Sequence, residues 1–164
     1  MMLVIRIAGQ VNIEEGEKEA LYRLRLRRKY AAVLLEPTKE NLSLLKKIRN
    51  RVAYGTINRE TLIELISKRG QPVIKTKKID AEKIAQELET SRFVRNVNKT
   101  VSNLDGAQEP LVLDKKSLSS LGLKPFFRLH PPRGGIDSKV HFGKRKGVLG
   151  DNKEKINDLL RRML

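Results

Sequence analysis

The sequence predicts an α+β fold of the ferredoxin-like kind, in which helices cover one face of a small sheet. The main observation is the order of the predicted elements, which runs strand, helix, strand, helix, then further helices and a late strand. The second observation is the length, because 164 residues suit a single domain with one core. A doubly wound sheet would need more strand–helix pairs than the sequence supplies.

Two strands are predicted in the first third of the chain. Residues 3–7 form a short run rich in β-branched residues, which Gly9 closes. Residues 31–35 are apolar throughout and stop at Glu36 and Pro37. Apolar runs of this length between turn-forming residues are typical of buried strands.

The segment between these strands, residues 14–30, has two interpretations. Leu24 and Leu26 alternate with arginines as they would in a strand. Glutamates at one end and basic residues at the other match the dipole of a helix instead. We favour a helix over this segment, with its basic end exposed.

The second predicted helix begins after its cap, Thr38. Apolar residues recur at helical spacing, and the basic residues lie off that stripe. The stripe consists of Leu42, Leu45, Ile48 and Val52. Residues 52–54 could end this helix or begin a third strand.

Further elements are predicted beyond residue 57. Helices follow the caps Asn58, Asp80 and Asp114, and Gly70 ends the first of them. Residues 96–110 predict a loop, and residues 126–129 predict a strand. The DNKE sequence at residues 151–154 resembles a capping box that begins a closing helix. The apolar side of that helix is Ile156, Leu159, Leu160 and Met163.

The charge of the chain indicates a polyanionic partner. Lys and Arg number 35 against 19 Asp and Glu, for a formal net charge of +16. The absence of cysteine excludes disulfides and thiolate metal sites. No apolar run approaches the ~20 residues of a membrane span, and the N-terminal segment lacks the features of a signal peptide. We therefore predict a soluble, cytoplasmic protein that binds no membrane.

The motifs in the sequence favour no catalytic residue, metal ligand or cofactor. There is no G-x-x-x-x-G-K-[ST] loop and no nucleophile elbow. His130 and His141 flank Asp137, but a structural or RNA-contacting role is the simpler interpretation of two histidines in a basic loop. Aromatic residues make up only 4% of the chain, which argues against single-strand binding on stacking platforms.

Four basic clusters in one small chain favour phosphate binding over a merely solvated surface. They lie at residues 23–29, 46–51, 75–78 and 133–146. The predicted RNA-binding residues are Arg25, Arg28, Lys46, Lys47, Arg49, Arg51, His130, Arg133, Lys139, Lys144, Arg145 and Lys146. We expect the first five on helix surfaces and those from His130 onward in a loop, mostly contacting sugar and phosphate.

The basic segment at residues 131–150 is rich in glycine and has few core-forming residues. This composition predicts a loop that threads between RNA helices and orders on binding. The sequence has no clear helix-turn-helix, zinc finger or RRM motif, so a protein that reads DNA grooves is disfavoured.

The run FFRLHPPRGG at residues 126–135 carries a family resemblance. It resembles the signature near the C-terminus of archaeal members of the L-thirty ribosomal protein family, whose eukaryotic relatives are called L-seven. NRVAYG at residues 50–55, LISKRG at 65–70 and residues 141–163 resemble the family in the same order. The resemblance covers essentially the whole chain.

The resemblance implies a ferredoxin-like core in residues 1–57 and an archaeal and eukaryotic-type extension in residues 58–164. It also implies a structural protein of the large ribosomal subunit that binds large-subunit rRNA. The 5S RNA would lie nearby, other ribosomal proteins would be neighbours, and the chain would not be an obligate homo-oligomer.

The chain departs from the family pattern in two places. Leu42-Ser43-Leu44 stands where the bacterial form usually has an Arg-Gly pair, so contacts in that region are not carried over. The long basic N-terminal extension of the eukaryotic relatives is missing, which favours the archaeal type.

Two other functions are open at this point. A free-standing RNA chaperone would have the same charge without a dedicated assembly. A hydrolase that uses His130 or His141 with Asp137 is suggested only by their proximity in sequence.

Overall fold

The computed structural model describes residues 1–73, 80–86, 122–143 and 147–164. The strands in these residues are β1 (Met2–Arg6), β2 (Ala31–Leu35), β3 (Val52–Thr56), β4 (Phe127–Arg128), β5 (Ser138–His141) and β6 (Gly147–Asp151). The helices are α1 (Glu15–Arg23), α2 (Lys39–Lys47), α3 (Arg59–Arg69) and α4 (Ile156–Met163), with a 3-10 helix at Lys153–Lys155. Residues 81–86 are also helical.

Three of the predicted features lie outside the described residues. They are the helix after Asp114, the loop at residues 96–110 and the basic cluster at residues 75–78. The helix predicted after Asp80 is described over residues 81–86, where Ile84 and Ala85 are buried.

The strands form one sheet in the order β4-β2-β1-β3-β6-β5. The central strand β1 pairs antiparallel with β2 and β3, so that Val4 lies opposite Val33 on one side and Tyr54 on the other. β4 extends the sheet antiparallel to β2, and β6 lies parallel to β3. β5 forms the far edge beside β6, with an irregular register. Strands from the second half of the chain therefore flank the three strands of the first third.

One face of the sheet packs against α1 and α2, as the sequence predicts. Side chains alternate between the two faces of a strand, and Met2 and Val4 of β1 point to this face. Leu21 of α1 and Leu45 of α2 join them in a single apolar cluster. Among the residues that the structure describes, this layer consists of residues from the first third of the chain and the partly buried Phe126.

The opposite face is covered by α3 and α4. Leu3 and Ile5 of β1 are fully buried there with Leu65 of α3, Leu160 of α4 and Phe127 of β4. The sequence predicts helices on one face only, and the second layer is an addition to that arrangement. It is required because a strand that is apolar on both faces has to be covered on both.

The side chain of Asn157 joins α4 to the start of α3. Its oxygen accepts hydrogen bonds from the backbone N–H of Asn58 (3.0 Å) and the hydroxyl of Thr61 (2.6 Å). Its Nδ2 donates to the carbonyls of Thr56 (3.1 Å) and Glu154 (2.7 Å). Asn58 occupies the predicted N-cap position, but its own side chain makes no capping bond.

The second helix follows its prediction at the start and differs from it at Leu42, and residues 52–54 adopt one of the two structures that the sequence left open. Thr38 caps α2 by accepting a hydrogen bond from the backbone N–H of Asn41 at 3.3 Å. Leu42 is 38% exposed, so its assignment to the apolar stripe is wrong. Residues 52–54 begin β3 and do not extend the helix.

The prediction of a helix through residues 14–30 is wrong beyond Arg23. Arg25 adopts a left-handed conformation, with φ of 60°. Its N–H donates to the carbonyl of Tyr22, and the N–H of Leu26 donates to the carbonyl of Leu21. This hydrogen-bond pair is the Schellman motif that ends many helices. It brings Leu26 back beside Leu21 in the first core layer.

The prediction of a loop through residues 133–150 is also wrong in part. Residues 138–141 and 147–151 are strands β5 and β6. Leu149 is buried, and Gly150 pairs with Ala53 of β3 with φ of 84°, which glycine adopts easily. Two of the glycines that suggested a loop lie in β6, and at Gly147 the absence of a Cβ allows the close approach of the Val140 carbonyl of β5.

Candidate nucleic-acid interface

One end of the sheet gathers several basic loops. The antiparallel register places the end of β1 beside the starts of β2 and β3, and it places the end of β4 at the same level. The loops at this end are residues 24–30, 48–51 and 129–135. We call it the basic end, because these loops include most of the predicted RNA-binding residues that the structure describes.

The loop at residues 24–30 is fixed by the buried side chain of Arg6. Its guanidinium donates to the carbonyls of Leu26 (2.7 Å), Arg27 (2.9 Å), Ala8 (3.0 Å) and Gly9 (3.0 Å). Burial lowers the pKa of Arg6, and the neighbouring Arg51 cation lowers it further. Arg6 therefore has a structural role, since its four hydrogen bonds join the backbone of this loop to that of the segment after β1.

A groove of about 700 Å³ lies between this loop and β4. Its walls combine basic and aromatic side chains, and no described lining residue is acidic. The lining residues are Tyr22, Arg23, Arg25, Arg27, Arg28, Lys29, Tyr30, Ala31, Phe126, Arg128 and Leu129. Arg25 and Arg28, which were predicted on a helix surface, lie instead on the loop that follows α1.

Each aromatic ring of the groove has a cation over it. The Cζ of Arg27 lies 4.0 Å from the centroid of the Tyr22 ring, and the Cζ of Arg128 lies 5.8 Å from that of Phe126. The Nζ of Lys29 lies 4.7 Å from the centroid of Tyr30. These pairs hold the rings and the cations together in one surface.

The groove cations have few carboxylate partners. Arg23 forms an exposed ion pair with Glu19 at 2.5 Å. Within the described part of the chain, no ion pair joins a carboxylate to Arg25, Arg28 or Arg128. An anion that enters the groove would therefore meet positive charge that the described protein does not neutralise.

The end of α2 carries a second group of predicted residues. Lys46, Lys47 and Arg49 are exposed there, and Lys47 crosses to Gly16, at the start of α1. Arg51 differs from them, because its Nε pairs with the carboxylate of Glu17 at 3.1 Å. Its other nitrogens donate to the carbonyls of Val11 and Asn12, so this guanidinium is engaged within the protein.

The loop after β4 is held by α4. The N–H of His130 donates to the carbonyl of Met163 at 3.0 Å, and the N–H of Arg133 donates to that of Arg162 at 2.9 Å. The side chain of Arg162 donates back to the carbonyl of Arg133 at 2.9 Å. Both His130 and Arg133 keep their side chains exposed.

Of the remaining predicted residues, only Lys139 is described, and it does not join this end. Lys139 is exposed on β5, at the edge of the sheet opposite β4. Lys144, Arg145 and Lys146 lie outside the described residues. His141 is also on β5, so five strand spacings, or roughly 24 Å, separate it from the end of β4 next to His130.

The described residues bear on two further possibilities, which are a metal site and a membrane-spanning helix. Among them, no group of three or more His, Asp, Glu or Cys side chains could hold a metal ion. None of the helices in these ranges is long and apolar enough to cross a membrane.

Arg128, Phe126 and Tyr22 are groove residues that the sequence analysis missed. A signal was present for Arg128, because a lone arginine in an apolar strand points away from its buried neighbour Phe127. The pairing of Arg128 with Ala31 could not be predicted, since it joins residues nearly a hundred positions apart.

The whole chain is similar to curated archaeal proteins, although no family model matches it. The "Large ribosomal subunit protein uL30" of Methanobrevibacter smithii is 34% identical over 164 residues, covering 100% of both chains. The proteins of the same name from Archaeoglobus fulgidus and Desulfurococcus amylolyticus are each 36% identical. These alignments cover 99% of both chains for the first, and 98% of this chain and 96% of the relative for the second.

Proposed function

The chain belongs to the uL30 family of large ribosomal subunit proteins, and from this premise we propose that its basic end binds folded large-subunit rRNA. Its role is structural and not enzymatic, and its location is the large subunit of the cytoplasmic ribosome. The family assignment agrees with the resemblance found in the sequence.

The groove lined by Arg25, Arg28 and Arg128 carries the proposal. Three guanidinium groups without described carboxylate partners converge there from two segments that are distant in sequence. Arginine forms strong, often bidentate hydrogen bonds with phosphate, and a cluster of arginines on one surface is typical of nucleic-acid binding.

The binding energy would come from the release of counterions that are condensed on the RNA. Each Lys or Arg that neutralises a phosphate releases part of this atmosphere, so affinity falls as salt rises. The contacts position the protein on sugar and phosphate, and they let RNA helices pack closely around it.

The proposed interface differs from the set predicted from sequence at two residues, because Arg128 is added and Arg51 is removed. It centres on the residues at the basic end, and Arg51 is left out because its donors contact Glu17 and backbone carbonyls. The central residues are Arg25, Arg28, Lys46, Lys47, Arg49, Arg128, His130 and Arg133. Lys139, Lys144, Arg145 and Lys146 are proposed as further contacts on sequence grounds alone.

The resemblance supports two finer proposals. We propose that the 5S RNA lies near this surface in the subunit and that other ribosomal proteins are neighbours. We also propose that residues 1–57 are the part shared with bacterial relatives and that residues 58–164 are the archaeal and eukaryotic-type extension. A series of crosslinks from the groove to RNA in assembled subunits would test the 5S proposal.

The first experiment measures binding of the purified protein to large-subunit rRNA across salt concentrations, with duplex DNA as competitor. We expect saturable, one-to-one binding that weakens with salt and resists the DNA. Equal displacement by DNA would contradict a dedicated rRNA site and indicate a general polycation.

A free RNA chaperone is the competing function, and the same charge would serve it. Sedimentation of ribosomal subunits at moderate salt separates the two possibilities. A constituent of the subunit remains in the large-subunit fraction, whereas a chaperone is released from it.

A further inference from the structure

We infer that the groove of the basic end holds one unpaired nucleotide of the RNA, with its base stacked against the aromatic rings of the groove. This inference rests on the proposed function and names the ligand of the same surface more closely. The RNA element it identifies is a bulged or looped-out nucleotide, not a continuous duplex.

The aromatic residues of the chain are few, but they are not scattered. The sequence has three Tyr and four Phe, and three of these seven residues line the groove: Tyr22, Tyr30 and Phe126. The low aromatic content argued against base stacking in the sequence analysis. The structure removes that objection, because three of the seven rings are concentrated in the groove.

Tyr22 is the ring best placed to receive a base. Its side chain projects from the last turn of α1, and the residue is 57% exposed although it is a large aromatic. Arg27 lies 4.0 Å from the ring centroid and covers one face. We expect a base to stack on the face opposite Arg27, and the guanidinium strengthens a contact with an electron-rich base or a phosphate.

The size of the groove fits a nucleotide. Its volume of about 700 Å³ lies inside the roughly 300–1,000 Å³ range of small-molecule and cofactor sites. The mixture of lining groups also fits, because aromatic rings suit the base, while Arg25, Arg28 and Arg128 suit the adjoining phosphates.

A continuous RNA duplex would leave the exposed ring of Tyr22 without a function, whereas Tyr30 and Phe126 also pack against the core. Bases inside an A-form helix are stacked on each other, and proteins contact such helices through phosphates and 2′-hydroxyl groups. Arginines and lysines alone would serve that purpose. An exposed tyrosine between cations is typical of sites that take a base out of the stack.

The test compares two RNA hairpins that differ only in one bulged position, which is an adenosine in one and an abasic nucleotide in the other. Both hairpins have the same number of phosphates, so the ratio of their affinities isolates the contribution of the base. We expect the protein to bind the adenosine hairpin about tenfold more tightly, as base–aromatic stacking commonly provides. In the Tyr22→Leu variant we expect this ratio to fall close to one.

The matched control is Phe142→Leu. Phe142 is 38% exposed and has the Nζ of Lys155 at 5.5 Å from its ring centroid, so it is a similar aromatic–cation pair outside the groove. We expect this variant to keep the tenfold ratio. Thermal unfolding of both variants tests whether each is folded. We expect unfolding temperatures close to that of the unaltered protein, because both substitutions are at exposed side chains.

Equal affinity of the unaltered protein for the two hairpins, or a preference that survives Tyr22→Leu, would overturn the inference. Binding to large-subunit rRNA, measured in parallel, separates this failure from that of the proposed function. If the protein binds rRNA in preference to duplex DNA but does not distinguish the hairpins, only the single-nucleotide site fails. If it binds rRNA no better than DNA, the proposed function fails as well.

Discussion

Two groups of arginines lie at the same end of the sheet, and they differ in what their guanidinium groups contact. Arg6 and Arg51 donate to backbone carbonyls and, for Arg51, to the carboxylate of Glu17. Arg25, Arg28 and Arg128 line the groove instead, without a described carboxylate partner. Charge alone therefore does not identify a ligand-binding arginine, because the nearby acceptors decide its role.

The comparison predicts that substitutions in the two groups affect different properties. Removing an arginine of the first group should lower the free energy of unfolding, because carbonyls lose their donors. Removing one of the second group should lower RNA affinity and leave folding almost unchanged.

The largest effect is expected for Arg6→Ala. The substitution leaves the carbonyls of Leu26, Arg27, Ala8 and Gly9 without their donors at a site where Arg6 is 2% exposed. We expect the free energy of unfolding to fall by about 3–5 kcal/mol, as for other buried charged networks. Urea denaturation measures this, with Arg28→Ala as the exposed control. A loss of less than 1 kcal/mol would show that Arg6 does not hold the loop.

The next effect concerns the groove. Replacing Arg25, Arg28 and Arg128 together with glutamine should weaken rRNA binding at every salt concentration. The slope of log affinity against log salt should become shallower by about 2–3, because three phosphate contacts are lost. An unchanged slope would mean that the groove does not contact phosphate.

The basic segment at residues 133–146 provides a comparison with the groove. We expect that neutralising Arg133, Arg145 and Lys146 together also weakens rRNA binding and flattens its salt dependence. Titration of rRNA with this variant across salt gives the slope. If the slope equals that of the unaltered protein, these residues are not phosphate contacts.

A smaller effect is expected at Arg25, where one substitution should change stability and rRNA affinity in opposite directions. Arg25 occupies the left-handed position of the Schellman motif, which costs an L-residue about 1–2 kcal/mol. Glycine removes this strain but loses more backbone entropy on folding, so Arg25→Gly should raise the free energy of unfolding by about 0.5–1 kcal/mol. The same variant should bind rRNA more weakly. A less stable variant would contradict this account of the helix end.

The smallest effect concerns pH. Burial raises the pKa of Tyr54, the Asp151 carboxylate raises it further, and Arg49 opposes them. Because the folded pKa lies above the unfolded value of about 10, the stabilisation is fully present below pH ~10 and is lost as pH rises through the folded pKa. The stability difference between the protein and Tyr54→Phe should therefore change only at alkaline pH. A change near pH 7 would contradict this assignment.

The features that the sequence predicted correctly are local. β2 is a continuous apolar run, β1 is apolar except for Arg6, and Thr38 caps the helix that begins at the next residue. The end of α1 was missed because a Schellman motif is usually marked by glycine, and here the position is Arg25. The helical pattern of charges continues past that residue although the helix does not.

The missed features depend on contacts between distant residues. The groove needs β4 beside β2, which joins Arg128 to Ala31. No local pattern specifies that pairing. Arg25 and Arg28 could be predicted as RNA contacts from their basic cluster, but Tyr22 and Phe126 could not, because their role depends on the groove. The arginine cluster was visible in the sequence, but the shape that makes it a groove was not.

The hydrogen bonds of Asn157 have a consequence for the timing of folding during synthesis. Asn157 accepts the N–H of Asn58, which lies 99 residues earlier in the chain. A ribosome adds roughly 5–20 residues per second, so about 5–20 s pass between the synthesis of these two residues. During that interval the layer formed by α1 and α2 can assemble. On the opposite face, Leu3 and Ile5 are not yet covered by α4. The newly made chain therefore passes through a stage with one finished face and one face that still lacks α4, and partly exposed apolar surface of this kind is what chaperones bind.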